Sequence, residues 1–192
     1  MVDNPTGVAV DVLPVRLKGT KYTIVSDFDD TLFFNGESIA AASLDVVGRK
    51  LSIAEVKRLP KEIKHKVYQT AYTTYMSYLK PNSRLIQLYR QHAEEGAGII
   101  IMSARGEEFR RETEQLLEEH LVPHKDLILP RDHNMKDEEW KLGELDRILA
   151  KEGGNILFVE DRVENIKYIR ERLISDRVTY LCVTRDNFLM YI

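Results

Sequence analysis

The chain has 192 residues, a length that at about 100 to 200 residues per domain allows one domain, or one core with a modest insertion, and excludes a multidomain assembly. Hydrophobic residues make up 43% and charged residues 31%, so a core can form and wholesale disorder is disfavoured. The 28 Lys and Arg residues against 31 Asp and Glu residues give a net charge of -3, so binding of a polyanion would need a local basic patch.

Cysteine usage and apolar patterning indicate the compartment. Cys182 is the only cysteine, so there is no intramolecular disulfide and no thiol cluster to hold zinc, and a reducing compartment fits best. The N-terminal residues lack a basic leader, and no later run approaches the roughly 18 apolar residues that a spanning helix needs. We therefore expect a soluble, cytoplasmic protein with no membrane partner.

The first predicted strand is Tyr22–Ser26, after a short proline-containing segment that ends near Gly19. Its β-branched and aromatic residues and its short length favour a strand over a helix. A single Asp after a strand is usually a turn or an N-cap residue. Several carboxylates crowded together repel one another, however, and this repulsion indicates a divalent cation. Such a crowd follows the strand directly, as Asp27, Asp29 and Asp30.

Residues 34–80 interrupt the alternation of strands and helices that the rest of the chain shows. Residues 61–79 carry apolar side chains at helical spacing, so we predict a helical insertion. Four tyrosines there either stack on nucleic-acid bases or form a small core of the insertion: Tyr68, Tyr72, Tyr75 and Tyr78.

After the insertion, strands and helices alternate. Helices are predicted at residues 83–95, 107–120, Asp137–Lys151 and 162–173. Strands are predicted at Gly98–Met102, 155–159 and Val178–Val183, with a weaker one at 126–129. Continuous apolarity indicates strands covered on both faces, and the order predicts right-handed βαβ units in a doubly wound, parallel α/β sheet of Rossmann type. Folds of this kind place their chemistry at the carboxyl ends of the strands.

Polar residues follow two of these later strands. Ser103 ends the second strand and is followed by Arg105 and Gly106 just before a helix, a combination of hydroxyl, guanidinium and free amides that suits a phosphate. The strand at 155–159 leads into Glu160 and Asp161, although an N-cap role would also explain Asp161. A lone helical lysine such as Lys141 would ordinarily be a solvated surface residue.

These elements, in this order, resemble the haloacid dehalogenase-like (HAD) phosphohydrolase superfamily. The family has an Asp-x-Asp-x-Thr-Leu motif after an apolar strand, a second strand that ends in Ser or Thr, an upstream Lys, and a last strand that ends in acidic residues. The match runs from about Tyr22 to Val183. The residues that match, in order, are Asp27, Asp29, Thr31 and Leu32; Ser103; Lys141; and Glu160, Asp161 and Asn165.

The second half is most similar to the 3′-phosphatase domain of phage-type polynucleotide kinase-phosphatases. The shared features are Ser-x-Arg at Ser103 and Arg105, a Lys-Asp-acidic-x-x-Lys run at residues 136–141, and an acidic pair followed by Arg162. Two features depart from that pattern, since Glu160 stands where Asp is usual and the insertion is larger than expected. Both departures leave the substrate open.

The resemblance implies a Mg²⁺-dependent phosphomonoester hydrolase with an aspartyl-phosphate intermediate. It implies that Asp27 is the nucleophile and that Asp29 is the general acid and base. Ser103 and Lys141 would hold phosphoryl oxygens, with Thr31 and Arg105 as further substrate contacts. The metal ligands implied are Asp27, Asp29 through its backbone carbonyl, Asp161 and Glu160. Residues 1–33 and 81–192 would form the core, and residues 34–80 a helical cap.

Four questions stay open at this point. Nucleic-acid 3′ ends, nucleotides and small phosphorylated metabolites all present the same phosphoryl group, and the oligomeric state has no sequence signal. A receiver-type phosphoacceptor and an inactive HAD scaffold are the alternatives of another class. The following basic residues form either a surface for a nucleic-acid backbone or solvated helix faces: Arg49, Lys50, Lys57, Arg58, Lys61, Lys64 and Lys66, with Arg105, Arg110 and Arg111.

Overall fold

A computed structural model describes residues 8–9, 21–130, 135–184 and 188–191, the first and last of these ranges as backbone. The segment predicted to end near Gly19 lies largely outside the described residues. The strands within them are β1 Val8–Ala9, β2 Tyr22–Ser26, β3 Phe33–Phe34, β4 Lys80–Pro81, β5 Gly98–Met102, β6 Asp126–Ile128, β7 Asn155–Glu160, β8 Val178–Val183 and β9 Phe188–Tyr191. Seven of these strands form one sheet in the order β1-β9-β8-β7-β2-β5-β6, and two short strands form a separate pair, β3-β4.

The parallel part of the sheet is the one that the sequence predicts. β2 lies at its centre, paired in parallel with β5 on one side and with β7 on the other, so that Ile24 faces Ile99 and Leu157. β6 and β8 extend it in parallel. The antiparallel neighbours β9 and β1 complete the sheet and were not predicted, since β1 spans only two residues and β9, although apolar, spans only four.

Helices cover both faces of the sheet. Residue 24 points to one face and residue 25 to the other, as strand geometry requires, and both side chains are fully buried. Ile24 belongs to a cluster with α4 (Ser83–Glu94) and α5 (Arg110–Glu119), and Val25 to a cluster with α6 (Asp137–Lys151) and α7 (Val163–Arg172). Burying each such side chain contributes about 1.5–3 kcal/mol. The doubly wound α/β fold is therefore confirmed.

Residues 36–73 contain three helices that we call the helical insert: α1 Gly36–Val47, α2 Ile53–Lys57 and α3 Lys61–Thr73. The pairing of β3 with β4 brings the two ends of this segment together. The insert has its own apolar cluster, in which Ile39, Val56 and Val67 are fully buried. Phe109 of the core joins that cluster, so the insert packs against the core beside the end of β5.

Two predicted helices differ from the structure at their ends. The helix predicted over 61–79 stops at Thr73 and a 3₁₀ turn follows at Met76–Tyr78, because consecutive Thr and Tyr residues have weak helix propensity. The helix predicted over 107–120 begins with a 3₁₀ turn at Glu107–Phe109. Among the described residues, none of the helices combines the length and the apolar composition needed to cross a membrane.

Candidate active site

The carboxyl ends of β2, β5 and β7 meet at one edge of the sheet and bring together polar residues that end these strands or follow them directly. Asp27, Ser103 and Glu160 are all buried there, and Glu160 and Ser103 are fully inaccessible. The backbone N–H of Asp27 donates to the carbonyl of Val159 at 2.8 Å, so β2 stays paired up to the residue that carries the carboxylate. The strand-end cluster predicted from the sequence therefore exists.

A tight turn after β2 separates the carboxylates of Asp27 and Asp29. The carbonyl of Phe28 accepts hydrogen bonds from the backbone N–H groups of Leu32 and Phe33, at 2.9 and 3.1 Å. Asp30 has a φ of 59°, a left-handed conformation that Asp tolerates better than most residues. The hydroxyl of Thr31 donates to Oδ2 of Asp27 at 3.1 Å, which fixes the orientation of that carboxylate.

Lys141 provides a buried positive charge beside Asp27. Its Nζ lies 2.7 Å from Oδ1 of Asp27, 2.8 Å from Oε2 of Glu160 and 3.3 Å from Oδ1 of Asp137, and the residue is only 2% exposed. Burial by itself lowers the pKa of Lys141, but the facing carboxylates raise it well above its usual value. Lys141 is thus a charged site residue and not a solvated helical lysine.

Asp137 is a site residue to which the sequence assigned no role, although it is the Asp of the Lys-Asp-acidic-x-x-Lys run at residues 136–141. It precedes Lys141 by one helical turn on α6, and its Oδ2 accepts hydrogen bonds from Asn165 at 2.8 Å and from Arg162 at 3.2 Å. The i,i+4 spacing to Lys141 was the available signal. That spacing is common on solvated helices, so it did not distinguish Asp137 from its acidic neighbours.

Asp29 faces a different partner. The guanidinium of Arg105 binds both of its oxygens, with Nε 2.8 Å from Oδ2 and Nη2 2.7 Å from Oδ1. The hydroxyl of Ser103 lies 3.4 Å from Oδ2, and the side-chain amide of Asn35 lies 3.3 Å from Oδ1. The two carboxylates expected to do chemistry therefore lie in distinct environments, Asp27 beside Lys141 and Asp29 beside Arg105.

Arg105 is held between two aromatic rings. Its side chain is fully buried, and its guanidinium carbon lies 3.9 Å from the ring centre of Tyr72 in α3 and 4.4 Å from that of Phe28. Among the described residues, its Nη1 has no hydrogen-bond partner although it is buried. Arg105 thus orients Asp29 through two nitrogens and keeps one donor nitrogen unused.

The acidic residues at this edge fit a divalent cation. Asp27, Glu160 and Asp161 each offer a carboxylate oxygen, and these oxygens lie within 4.8 Å of one another. Burial, followed by the charges of Asp27 and Glu160, raises the pKa of Asp161 to about 9. Burial also raises the pKa of Asp27 well above its usual range, against the opposing effect of Lys141. An all-oxygen donor set whose charges repel one another suits Mg²⁺ better than zinc.

Glu160 and Asp29 relate to this cluster in different ways. Oε2 of Glu160 accepts a hydrogen bond from Lys141, and its Oε1 accepts one from the backbone N–H of Arg162 at 3.2 Å. Glu160 therefore also holds Lys141 and the backbone at Arg162 in position. The side chain of Asp29 is not part of the cluster, and it binds Arg105 instead.

The site opens into a cleft of about 540 Å³ between the strand ends and the helical insert. The insert contributes Lys57 of α2 and Lys61, Lys64, Tyr68 and Tyr72 of α3 to its walls. Tyr72 is buried against Phe109, whereas Tyr68 faces the cleft. Tyr75 and Tyr78 are not part of its lining and contact each other.

Comparison with known proteins identifies the fold. No protein-family model matches the chain, and no curated protein matches it. A haloacid dehalogenase-like hydrolase from Bacteroides fragilis shares 18% identity over 86% of this chain and 89% of its own, with a TM-score of 0.64. A HAD hydrolase of family IA, variant 3, from Entamoeba histolytica shares 17% identity over 86% of this chain and 85% of its own, with a TM-score of 0.57.

A third structure, a Pnkp1/Rnl/Hen1 complex, matches with 15% identity and a TM-score of 0.57. The match covers 96% of this chain but 51% of the other, so this protein corresponds to about half the length of that chain. The resemblance drawn from the sequence motifs is confirmed at the level of the fold, which is HAD-like.

Proposed function

We propose that this protein is a Mg²⁺-dependent phosphomonoester hydrolase that works through an aspartyl-phosphate intermediate. The observation that carries the proposal is the different surroundings of Asp27 and Asp29 at one end of the sheet. Asp27 lies beside a buried ammonium and two further carboxylates, and Asp29 is oriented by Arg105 and lies near Ser103. A nucleophile and a proton-transfer group need such separate environments.

Asp27 is the proposed nucleophile. Its carboxylate lies at the open end of β2, where Thr31 fixes one oxygen and Lys141 contacts the other. A phosphate dianion repels an attacking carboxylate, so the approach requires local positive charge. Mg²⁺ would supply that charge. Its ligands would be Asp27, Asp161 and Glu160, and the motif resemblance adds the backbone carbonyl of Asp29 as a further ligand.

Asp29 is the proposed general acid and base. In the first step it protonates the oxygen that leaves with the rest of the substrate, and in the second it takes a proton from the water that hydrolyses the phosphorylated Asp27. The bidentate pair with Arg105 holds its carboxylate in one orientation. We assign the binding of phosphoryl oxygens to Ser103 and Lys141, which lie beside Asp29 and Asp27, and Nη1 of Arg105 would be a further donor.

We propose that residues 34–80 act as a cap over this site and that the substrate is a nucleic-acid 3′-phosphate end. The lysines of the insert in the cleft wall, together with the similarity of the second half to 3′-phosphatase domains, support this choice. A phosphatase acting on nucleotides or small metabolites is the second candidate, because a cleft of about 540 Å³ is within the usual range of small-molecule sites.

The alternatives of another class are less well supported. A receiver-type module needs a phosphoacceptor Asp at the end of an inner strand. The residue that follows the inner strand β5 is Ser103, which is not an Asp. An inactive scaffold has no need for a buried lysine that contacts three carboxylates.

A hydrolysis screen tests the proposal. The purified protein is assayed for phosphate release with Mg²⁺ on 3′-phosphorylated oligonucleotides, mononucleotides, sugar phosphates and p-nitrophenyl phosphate, with a chelated sample as control. We expect Mg²⁺-dependent release with preference for 3′-phosphorylated oligonucleotides. Preference for a sugar phosphate would favour the metabolite alternative, and no release from any substrate would contradict the phosphatase proposal.

A further inference from the structure

One face of α3 lines the cleft. Lys61, Lys64, Tyr68 and Tyr72 are spaced three, four and four residues apart, which places them along one side of a helix. Val67 and Ala71, on the adjacent face of α3, are buried in the insert's own cluster, and Tyr72 is part of that cluster as well. Lys57, near the end of α2, lines the cleft as well. Three lysines of the insert therefore face the strand ends that carry the catalytic candidates.

The charges on the two sides of the cleft differ in how they are compensated. On the core side, Lys141 and Arg105 are each paired with carboxylates. On the insert side, Lys57, Lys61 and Lys64 form no salt bridge with any carboxylate among the described residues, although Lys64 is half-buried. Neighbouring ammonium groups repel one another, and an anionic ligand would remove this repulsion.

A second observation points to a ligand in the same cleft. Arg105 is one of the residues that line it, and its Nη1 is buried and lacks a hydrogen-bond partner among the described residues. A buried donor without an acceptor is unfavourable, so this nitrogen indicates an acceptor that the described residues do not supply. In the proposed reaction the scissile phosphate would be that acceptor, and the three lysines belong to the insert side of the same cleft.

We propose that Lys57, Lys61 and Lys64 form a second anion subsite, which binds a second phosphate group of the substrate while the scissile phosphate lies at Asp27. The inference rests on the proposed function, because it assigns the scissile phosphate to Asp27. It deepens that function by defining the substrate class as a phosphomonoester that carries another phosphate on its leaving group. That phosphate is either a backbone phosphodiester or a free phosphate, since both present the same anionic oxygens.

Equilibrium binding tests the subsite without depending on turnover. Adenosine 3′,5′-bisphosphate and adenosine 3′-monophosphate are titrated by calorimetry into the Asp27→Asn protein with Mg²⁺, and into the wild-type protein in EDTA. We expect the bisphosphate to bind at least tenfold more tightly, a difference of about 1.4 kcal/mol. A trinucleotide with a 3′-phosphate, measured alongside, distinguishes a backbone phosphodiester from a free phosphate as the second anion.

The Lys57→Gln/Lys61→Gln/Lys64→Gln variant tests the residues. We expect it to lower the preference for the bisphosphate over the monophosphate by about tenfold. Lys66→Gln is the matched control, because Lys66 is an exposed lysine on the same helix outside the cleft lining, and it should keep the wild-type preference. Circular dichroism of each variant shows whether it is folded, and three single substitutions replace the triple variant if it is not.

The outcomes separate the two proposals. Equal affinity for the bisphosphate and the monophosphate, or a preference that the lysine substitutions leave unchanged, would overturn the second subsite while phosphate release in the hydrolysis screen still supported the phosphatase. Tighter binding of the bisphosphate with no release from any substrate would support the subsite as an anion-binding site and contradict the phosphatase. A drop in the Lys66→Gln control equal to that of the triple variant would indicate a diffuse charge effect and overturn the assignment.

Discussion

Lys141 and Asp27 are 114 positions apart in the chain, yet the Nζ of Lys141 lies 2.7 Å from Oδ1 of Asp27 inside the protein. Oε2 of Glu160 lies 2.8 Å from the same ammonium. The contact joins α6 to β2 and β7, so one side chain neutralises carboxylates from separate parts of the fold. Its removal should affect both stability and activity.

Lys141→Met should destabilise the protein. The substitution leaves Asp27 and Glu160 buried without their shared cation, and breaking a buried ion pair in this way costs about 3–5 kcal/mol. Urea denaturation followed by circular dichroism measures the loss. The control is Lys151→Met, an exposed lysine at the end of the same helix, which should change the free energy of unfolding by less than about 0.5 kcal/mol. Similar losses for the two variants would contradict the structural role of Lys141.

Asp27→Asn should keep the fold and abolish turnover. Asn has nearly the same shape as Asp, and Lys141 keeps Glu160 and Asp137 as partners. The amide cannot attack phosphorus, so hydrolysis of p-nitrophenyl phosphate should fall below a few per cent of the wild-type rate. Retention of more than that by a folded, Mg²⁺-saturated Asp27→Asn protein would remove Asp27 as the nucleophile.

Asp29→Asn should have an effect that depends on the leaving group. A poor leaving group such as an alkoxide needs a proton during bond cleavage, whereas nitrophenolate leaves with little assistance. General acid catalysis typically contributes about 10²- to 10⁴-fold, and we expect a loss of this order for an alkyl phosphate. Single-turnover rates of phosphate transfer isolate the first step, and the loss for p-nitrophenyl phosphate should be clearly smaller. Equal losses for both substrates would argue against an acid at this position.

Stability without metal should fall as the pH rises. The pKa of Asp161 is raised to about 9 by burial and by Asp27 and Glu160, so the folded protein keeps a proton that the unfolded chain releases near pH 4. Because the folded state binds more protons between these values, the free energy of unfolding decreases as the pH rises through this window. Thermal melts in EDTA across this pH range measure the predicted loss of stability.

Mg²⁺ should oppose this trend. A cation replaces the proton at the carboxylates, so its stabilising effect should grow with pH and reach about 2.7 kcal/mol at 100 times the dissociation constant. Asp161→Asn should weaken both the pH trend and the response to Mg²⁺. A melting temperature that does not respond to Mg²⁺ at pH 8 would contradict a cation site at this cluster.

The sequence predicted those parts of the site that depend on strand ends. Asp27, Ser103 and Glu160 each follow an apolar run, and parallel strands bring such positions to a common edge. Lys141 was placed only through the motif resemblance, because a lysine on an amphipathic helix carries no signal of burial. Residue patterns also predicted a helical insertion but not the end of α3 at Thr73, where weak helix propensities decide.

Contacts between the helical insert and the core could not be predicted from the sequence. The stacking of Tyr72 on Arg105 joins side chains that are distant in the chain, and it depends on how α3 lies against the end of β5. The role of Asp137 could not be predicted for a related reason, since its partners Arg162 and Asn165 come from another helix region. Such contacts have no periodicity that a single sequence displays.

The ring of Tyr72 over Arg105 has a consequence for protein engineering. Exchanging the helical insert for that of another protein would remove one of the two aromatic surfaces that hold the guanidinium, and Phe28 alone would remain on the other side. A chimaera intended to accept a new substrate would therefore need an aromatic residue grafted at the position of Tyr72. Without it, the transplanted segment would change the alignment of Asp29 along with the selectivity it was chosen to alter.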